Sequence, residues 1–87
     1  SSSRYKFSVN YLSGKEVDGF KKIQLTVSND TKSFMSLQYR FFWYDAEGVE
    51  VEPDASNWQP LHLSGKLSRT VYSVARRPEA THFEVYI

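Results

Sequence analysis

Apolar positions recur at every second residue over most of this chain, the spacing of half-buried strands and not of helices. Tyr5, Phe7, Val9 and Tyr11 alternate with Lys6, Ser8 and Asn10, which predicts a first strand with one aromatic face. Ser13-Gly14 is expected to end it, with residues 13–19 forming a polar loop. Ile23, Leu25 and Val27 alternate with Gln24, Thr26 and Ser28 in a second strand over residues 20–29. Asn29, Asp30, Thr31, Lys32 and Ser33 are turn chemistry, because short polar side chains satisfy nearby backbone groups.

The third strand carries the sharpest pattern. Leu37, Tyr39, Phe41 and Trp43 share one face, and Gln38, Arg40, Phe42 and Tyr44 share the other. Asp45-Ala46-Glu47-Gly48 predicts a tight turn. Val49 and Val51 alternate with Glu50 and Glu52 in a short return strand, which Pro53 ends because it has no N–H for the ladder. Trp58, Leu61 and Leu63 open the second half, followed by a Ser64-Gly65 turn. Residues 67–75 read as a strand of open register: Leu67 and Val71 favour one inward face, Tyr72 and Val74 the other. After a loop at residues 76–80, Phe83, Val85 and Ile87 alternate with His82, Glu84 and Tyr86 in a last strand.

No stretch of ten residues has apolar spacing of three and four, and nothing repeats. Short strands with frequent turn signals in 87 residues predict an all-β fold, an immunoglobulin-like antiparallel β-sandwich of about seven strands. A small barrel is the competing architecture. Trp43, in the middle of the central strand, is the ring expected to fill the space between two sheets.

Composition narrows the function classes. A chain of 87 residues is one domain, residues 1–87, and Ser1 to Ser3 read as a trimmed or linker remnant. Lys and Arg total 11 against 10 Asp and Glu, a net charge of +1, which argues against a nucleic-acid module relying on bulk positive charge. There is no cysteine, hence no thiolate nucleophile and no cysteine metal site. His62 and His82 are the only histidines and are far apart in sequence. A zinc site needs three or four converging ligands, so they read as strand or loop histidines. No serine sits in a nucleophile elbow, and no glycine-rich phosphate loop is present. The expectation is a non-enzymatic domain with no cofactor and no metal.

Two charge biases and a set of aromatic residues are the candidates for binding. Asp45, Glu47, Glu50, Glu52 and Asp54 make an acidic hairpin with no base among them. It reads either as a lure for a basic partner or as charge that keeps an edge strand from pairing. Lys66, Arg69, Arg76 and Arg77 give residues 55–78 the opposite bias, which either steers a partner or is a set of unrelated surface charges. Arg40, Phe42 and Tyr44 lie on the face of the third strand that faces away from Trp43, where two adjacent aromatics are unexpected in water. They form an interaction patch or are covered by the hairpin or a loop. Trp58 is expected to plug one end of the sandwich; an exposed stacking platform is the alternative.

The run Leu37-Gln38-Tyr39-Arg40-Phe41-Phe42-Trp43-Tyr44-Asp45, with Gly48 and Glu50-Val51 after it, resembles the YcfL-like family of bacterial envelope lipoproteins. So do Trp58-Gln59-Pro60-Leu61 with Leu63 and Gly65, and the closing run from Pro78 to Ile87. The resemblance implies an immunoglobulin-like sandwich on the periplasmic side of the envelope, anchored at the outer membrane by a lipid carried in the precursor. It implies no catalytic residue. The functional expectation is a protein-interaction module whose partner is an envelope protein or a second copy of the chain, with contact to the membrane only through the lipid. A carbohydrate- or peptidoglycan-binding module that uses exposed aromatic rings is the alternative.

Overall fold

The computed structural model describes residues 6–53 and 56–87. Tyr5 of the first expected strand and Asp54 of the acidic hairpin lie outside the described residues. Among these residues six strands occur in chain order: β1 (Phe7–Val17), β2 (Phe20–Asn29), β3 (Met35–Tyr44), β4 (Gln59–Leu63), β5 (Ser68–Val74) and β6 (His82–Tyr86). They form two antiparallel three-stranded sheets of order β1-β2-β5 and β4-β3-β6. This is the A-B-E and C′-C-F arrangement of an immunoglobulin-like sandwich. The central strands β2 and β3 each bury one face toward the other sheet, so the strongest alternations in the sequence occupy the middle of the fold.

The core lies between the sheets. Ile23, Leu25, Val27 and Val71 meet Phe41, Trp43, Leu61 and Leu63, with Ala75 and Ala80 closing the end where the chain passes from β5 to β6. Trp43 is 9% exposed, and its indole N–H donates to Ser73 Oγ of the opposite sheet at 2.9 Å. Burying such a ring contributes about 2–3 kcal/mol, so the register that hides Phe41 and Trp43 wins over one that hides Phe42 and Tyr44. In β5 the open register resolves toward Val71. It pairs with Leu25 on the inward face, while Tyr72 and Val74 face out. Lys22 covers the Tyr72 ring at 4.7 Å, which gives that exposed aromatic a partner.

Two expectations are corrected. Residues 13–17 are strand and not loop: β1 continues to Val17 past a bulge at Leu12, where Tyr11 pairs with Leu25 but Ser13 pairs with Gln24. The extra residue inverts the inward parity, so no alternation survives to be read across the bulge. The reversal is made by Asp18-Gly19, both at positive φ (53° and 84°), the requirement of a two-residue type I′ turn. The seventh strand is reduced to a single bridge between Tyr44 and Glu50, because Pro53 follows at once and Glu52 sits at φ 53°.

Candidate functional site

The outer face of the β4-β3-β6 sheet carries the predicted patch. Antiparallel register sets Arg40 opposite Tyr86, Phe42 opposite Glu84 and Tyr44 opposite His82. The Arg40 guanidinium lies 4.6 Å over the Phe42 ring and 5.9 Å from the centre of the Trp58 ring. Its Nε donates to Ser56 Oγ at 3.1 Å, which fixes the side chain in that position. The Tyr86 ring meets Phe42 edge-on at 5.0 Å. Phe42 and Tyr44 are half-buried: Arg40 and Tyr86 pack on Phe42, while Tyr44 sits beside Glu84 and is bridged by Glu50 of the hairpin. Trp58 is 47% exposed, so it is no plug; Leu61 and Leu63 are the residues of that stretch that enter the core. At the far end of the face Phe34, also exposed, tilts onto His62 at 5.8 Å.

Tyr44 donates its phenolic hydrogen to Glu84 at 2.8 Å. That bond, with partial desolvation and the nearby carboxylates of Glu84 and Glu50, pushes its pKa up to about 12. An acidic phenol is therefore not available here near neutral pH. His62 stands opposite Ser36, and His82 opposite Tyr44. Eight strand positions, about 26 Å at 3.3 Å each, separate them, so the two cannot share one ion. His82 Nδ1 instead lies 2.7 Å from Thr81 Oγ1.

The acidic hairpin does not act as one cluster. Asp45 turns its carboxylate inward to accept the backbone N–H groups of Glu47 and Val49, each at 2.9 Å. Glu52 points to the other side and pairs with Arg77 at 3.7 Å. Arg77 also donates through Nε to Glu79 at 3.0 Å. The hydrogen bond to Glu79 raises the pKa of Arg77, and Glu79 is lowered by its own backbone N–H and then by Arg77. Glu50 bridges Tyr44 at the edge of the aromatic face, Glu47 is exposed in the turn, and Asp54 lies outside the described residues.

A second concavity was not anticipated. Between the edge of β5 and the inner side of β3 and β4 lies a cleft of about 480 Å³. Tyr39, Phe41, Trp43 and Val71 line its floor, and Arg69, Arg76 and Arg77 stand around it. The register that pairs Arg69 with buried Val27 puts this arginine on the inward face of an edge strand. That parity was legible once Val71 was taken as inward. The nearness of residues 76 and 77 was not, since it depends on the turn after β5. Lys66 takes no part: its Nζ donates to the Asp30 carbonyl at 2.7 Å, away from the cleft.

The family model described as "Protein of unknown function (DUF1425)" matches residues 1–87. The chain belongs to the DUF1425 family. A DUF1425 family member from Shewanella sp. PV-4, known from a crystal structure, is similar to it with a TM-score of 0.84 and 29% identity. The match covers 92% of this chain and 74% of that one. The crystal structure of Campylobacter jejuni cj0090 matches at a TM-score of 0.69 and 13% identity, over 90% of this chain and 78% of that chain. At that identity the likeness is one of fold alone. No curated protein matches the chain. The DUF1425 assignment brings a fold and a family but no site residue, so the surfaces of this domain are read from their own chemistry.

Proposed function

We propose that this DUF1425 domain is a non-enzymatic protein-interaction module of a YcfL-like envelope lipoprotein, acting on the periplasmic side and held at the outer membrane by a lipid outside these residues. The runs that resemble the YcfL-like family fall on β3 with its following turn, on β4, and on the segment leading into β6, which together build one sheet. The observation that carries the interaction reading is the stack on the outer face of that sheet. Arg40 lies between Phe42 and Trp58, with the exposed rings of Trp58 and Tyr86 beside it. Aromatic residues and arginine are the side chains that anchor protein interfaces, and a rigid guanidinium over rings loses little entropy on docking. The partner is an envelope protein or a second copy of the chain. Non-enzymatic action agrees with carboxylates already held by backbone and arginine, and with a phenol whose pKa is raised to about 12.

The exposed rings of Trp58 and Tyr86 also suit stacking on a sugar, the second reading. A Trp58→Ser, Tyr86→Ser double variant tests both. Capture from envelope extract and sedimentation of the purified domain should each lose the wild-type association, while soluble peptidoglycan fragments still fail to bind either protein. Association unchanged in the folded variant rejects the surface. Fragment binding by wild type that the variant loses replaces the protein reading by the sugar one.

A further inference from the structure

We infer that the cleft between β5 and β4 is a binding site for a small ring-bearing carboxylate, separate from the outer aromatic face. Its volume, about 480 Å³, lies in the range of small-molecule sites. The floor is apolar where half-buried Tyr39 and the largely buried Phe41 and Trp43 reach it, and a ring can pack there. Ser73 accepts the Trp43 N–H at 2.9 Å, so its own hydroxyl hydrogen can donate to a ligand oxygen at the floor.

The charge around the cleft selects the rest of the ligand. Three guanidiniums, Arg69, Arg76 and Arg77, face one carboxylate, Glu52. Arg77 is already committed to Glu52 and Glu79, which shows this rim pairing carboxylates within the chain. Arg69 and Arg76 pair with none of the described residues. Arg69 is the telling one. It leaves β5 on the same face as Val71, opposite fully buried Val27, yet stays exposed at the rim of the cleft. Guanidinium matches a planar oxyanion through paired N–H donors. An inward charge on an edge strand also discourages unwanted strand pairing. That role needs neither Arg76 nor the aromatic floor, and it predicts no ligand.

The test is titration of the folded domain by ¹H–¹⁵N NMR, with the Trp43 indole N–H identified in a Trp58→Phe background. The probes are phenylacetate, phenylacetamide, acetate and D-glucuronate. Phenylacetate should move the Trp43 indole and the Ser73 amide with roughly millimolar affinity, the range expected for a ten-atom probe. Phenylacetamide, which keeps the ring and lacks the charge, and acetate, which keeps the charge and lacks the ring, should each bind at least tenfold more weakly. An Arg69→Gln, Arg76→Gln variant should lose phenylacetate binding by at least tenfold with its melting temperature unchanged. Tighter binding of D-glucuronate than of phenylacetate assigns the ring to a sugar acid; the reverse order assigns it to an aryl acid. Equal binding of phenylacetate and its amide, binding unchanged in the arginine variant, or no shift at Trp43 overturns the proposal.

Discussion

Asn29 joins three chain segments through one side-chain amide. It is 2% exposed, and its Nδ2 donates to the carbonyls of Ser33, Leu63 and Ser64 at 2.7, 3.0 and 3.2 Å. Its Oδ1 accepts the N–H and the hydroxyl of Thr31 at 2.9 and 2.7 Å. Removing the amide leaves several of those groups unpaired, and each unsatisfied buried group costs about 1–3 kcal/mol. Asn29→Ala should therefore lower stability by about 2–4 kcal/mol in urea unfolding; a loss below about 1 kcal/mol would show that water replaces the amide freely. Gly65 belongs to the same junction, because a Cβ there would run into the Lys32 carbonyl, and Lys66 N–H donates to Thr31 O at 2.8 Å. At Tyr44 the phenol is raised from 10.0 to about 12. The folded state holds that proton more tightly than the unfolded chain. The associated stability is thus complete below pH 10 and is lost as the pH rises through about 12. In an ultraviolet phenolate titration, Glu84→Gln should shift the most alkaline ionisation step down toward 10; an unmoved step would mean the hydrogen bond is not its cause.

At the scale of elements, the β1–β2 hairpin depends on two backbone devices. The Leu12 bulge turns the strand, and Asp18-Gly19 reverses it with both residues at positive φ. A Cβ in the left-handed region costs roughly 1–2 kcal/mol for most residues and less for asparagine. Gly19→Val should destabilise the domain by about 1–2 kcal/mol, and Gly19→Asn by clearly less. Equal effects in thermal unfolding would show that the turn relaxes to another type. The central strand β3 contributes differently, through mass in the core. Trp43→Ala removes the largest ring between the sheets along with its bond to Ser73, a change expected to cost about 3–5 kcal/mol by denaturant titration. Domains of this size have marginal stability, so that variant should be partly unfolded at 37 °C.

Across the whole molecule, the two sheets leave two surfaces of different character. The outer face of β4-β3-β6 is a raised aromatic stack around Arg40, and the cleft beside β5 is concave with a basic rim. Because Phe42 is half-buried under Arg40 and Tyr86, and Tyr44 is half-buried beside Glu84 and Glu50, a Phe42→Ser, Tyr44→Ser variant should weaken association and also lower the melting temperature. Trp58→Ser with Tyr86→Ser should weaken association alone. If both pairs destabilise equally, the stack is a second layer of core and Glu47 and Glu50 become the better candidates for contact.

Period-two alternation was sufficient to determine β2, β3 and β6, the burial of Ile23, Leu25, Val27, Phe41 and Trp43, and an all-β fold, because one-sided burial writes itself directly into alternate residues; two separate sheets in place of a closed barrel were decided by the tertiary structure. The outward direction of Arg40, Phe42 and Tyr44 followed from the same rule. The continuation of β1 past Leu12 was hidden because a bulge breaks the period that carries the information. The Asp-Gly pair after Val17 was the local signal that could have revealed it. Whether Trp58 is core or surface depended on which residue caps the sheet edge, a matter of packing between strands far apart in sequence. The arginine-rimmed cleft was likewise settled only by the tertiary structure. It arises where β5, the turn after it and the loop before β4 meet, and no spacing along the chain encodes that meeting.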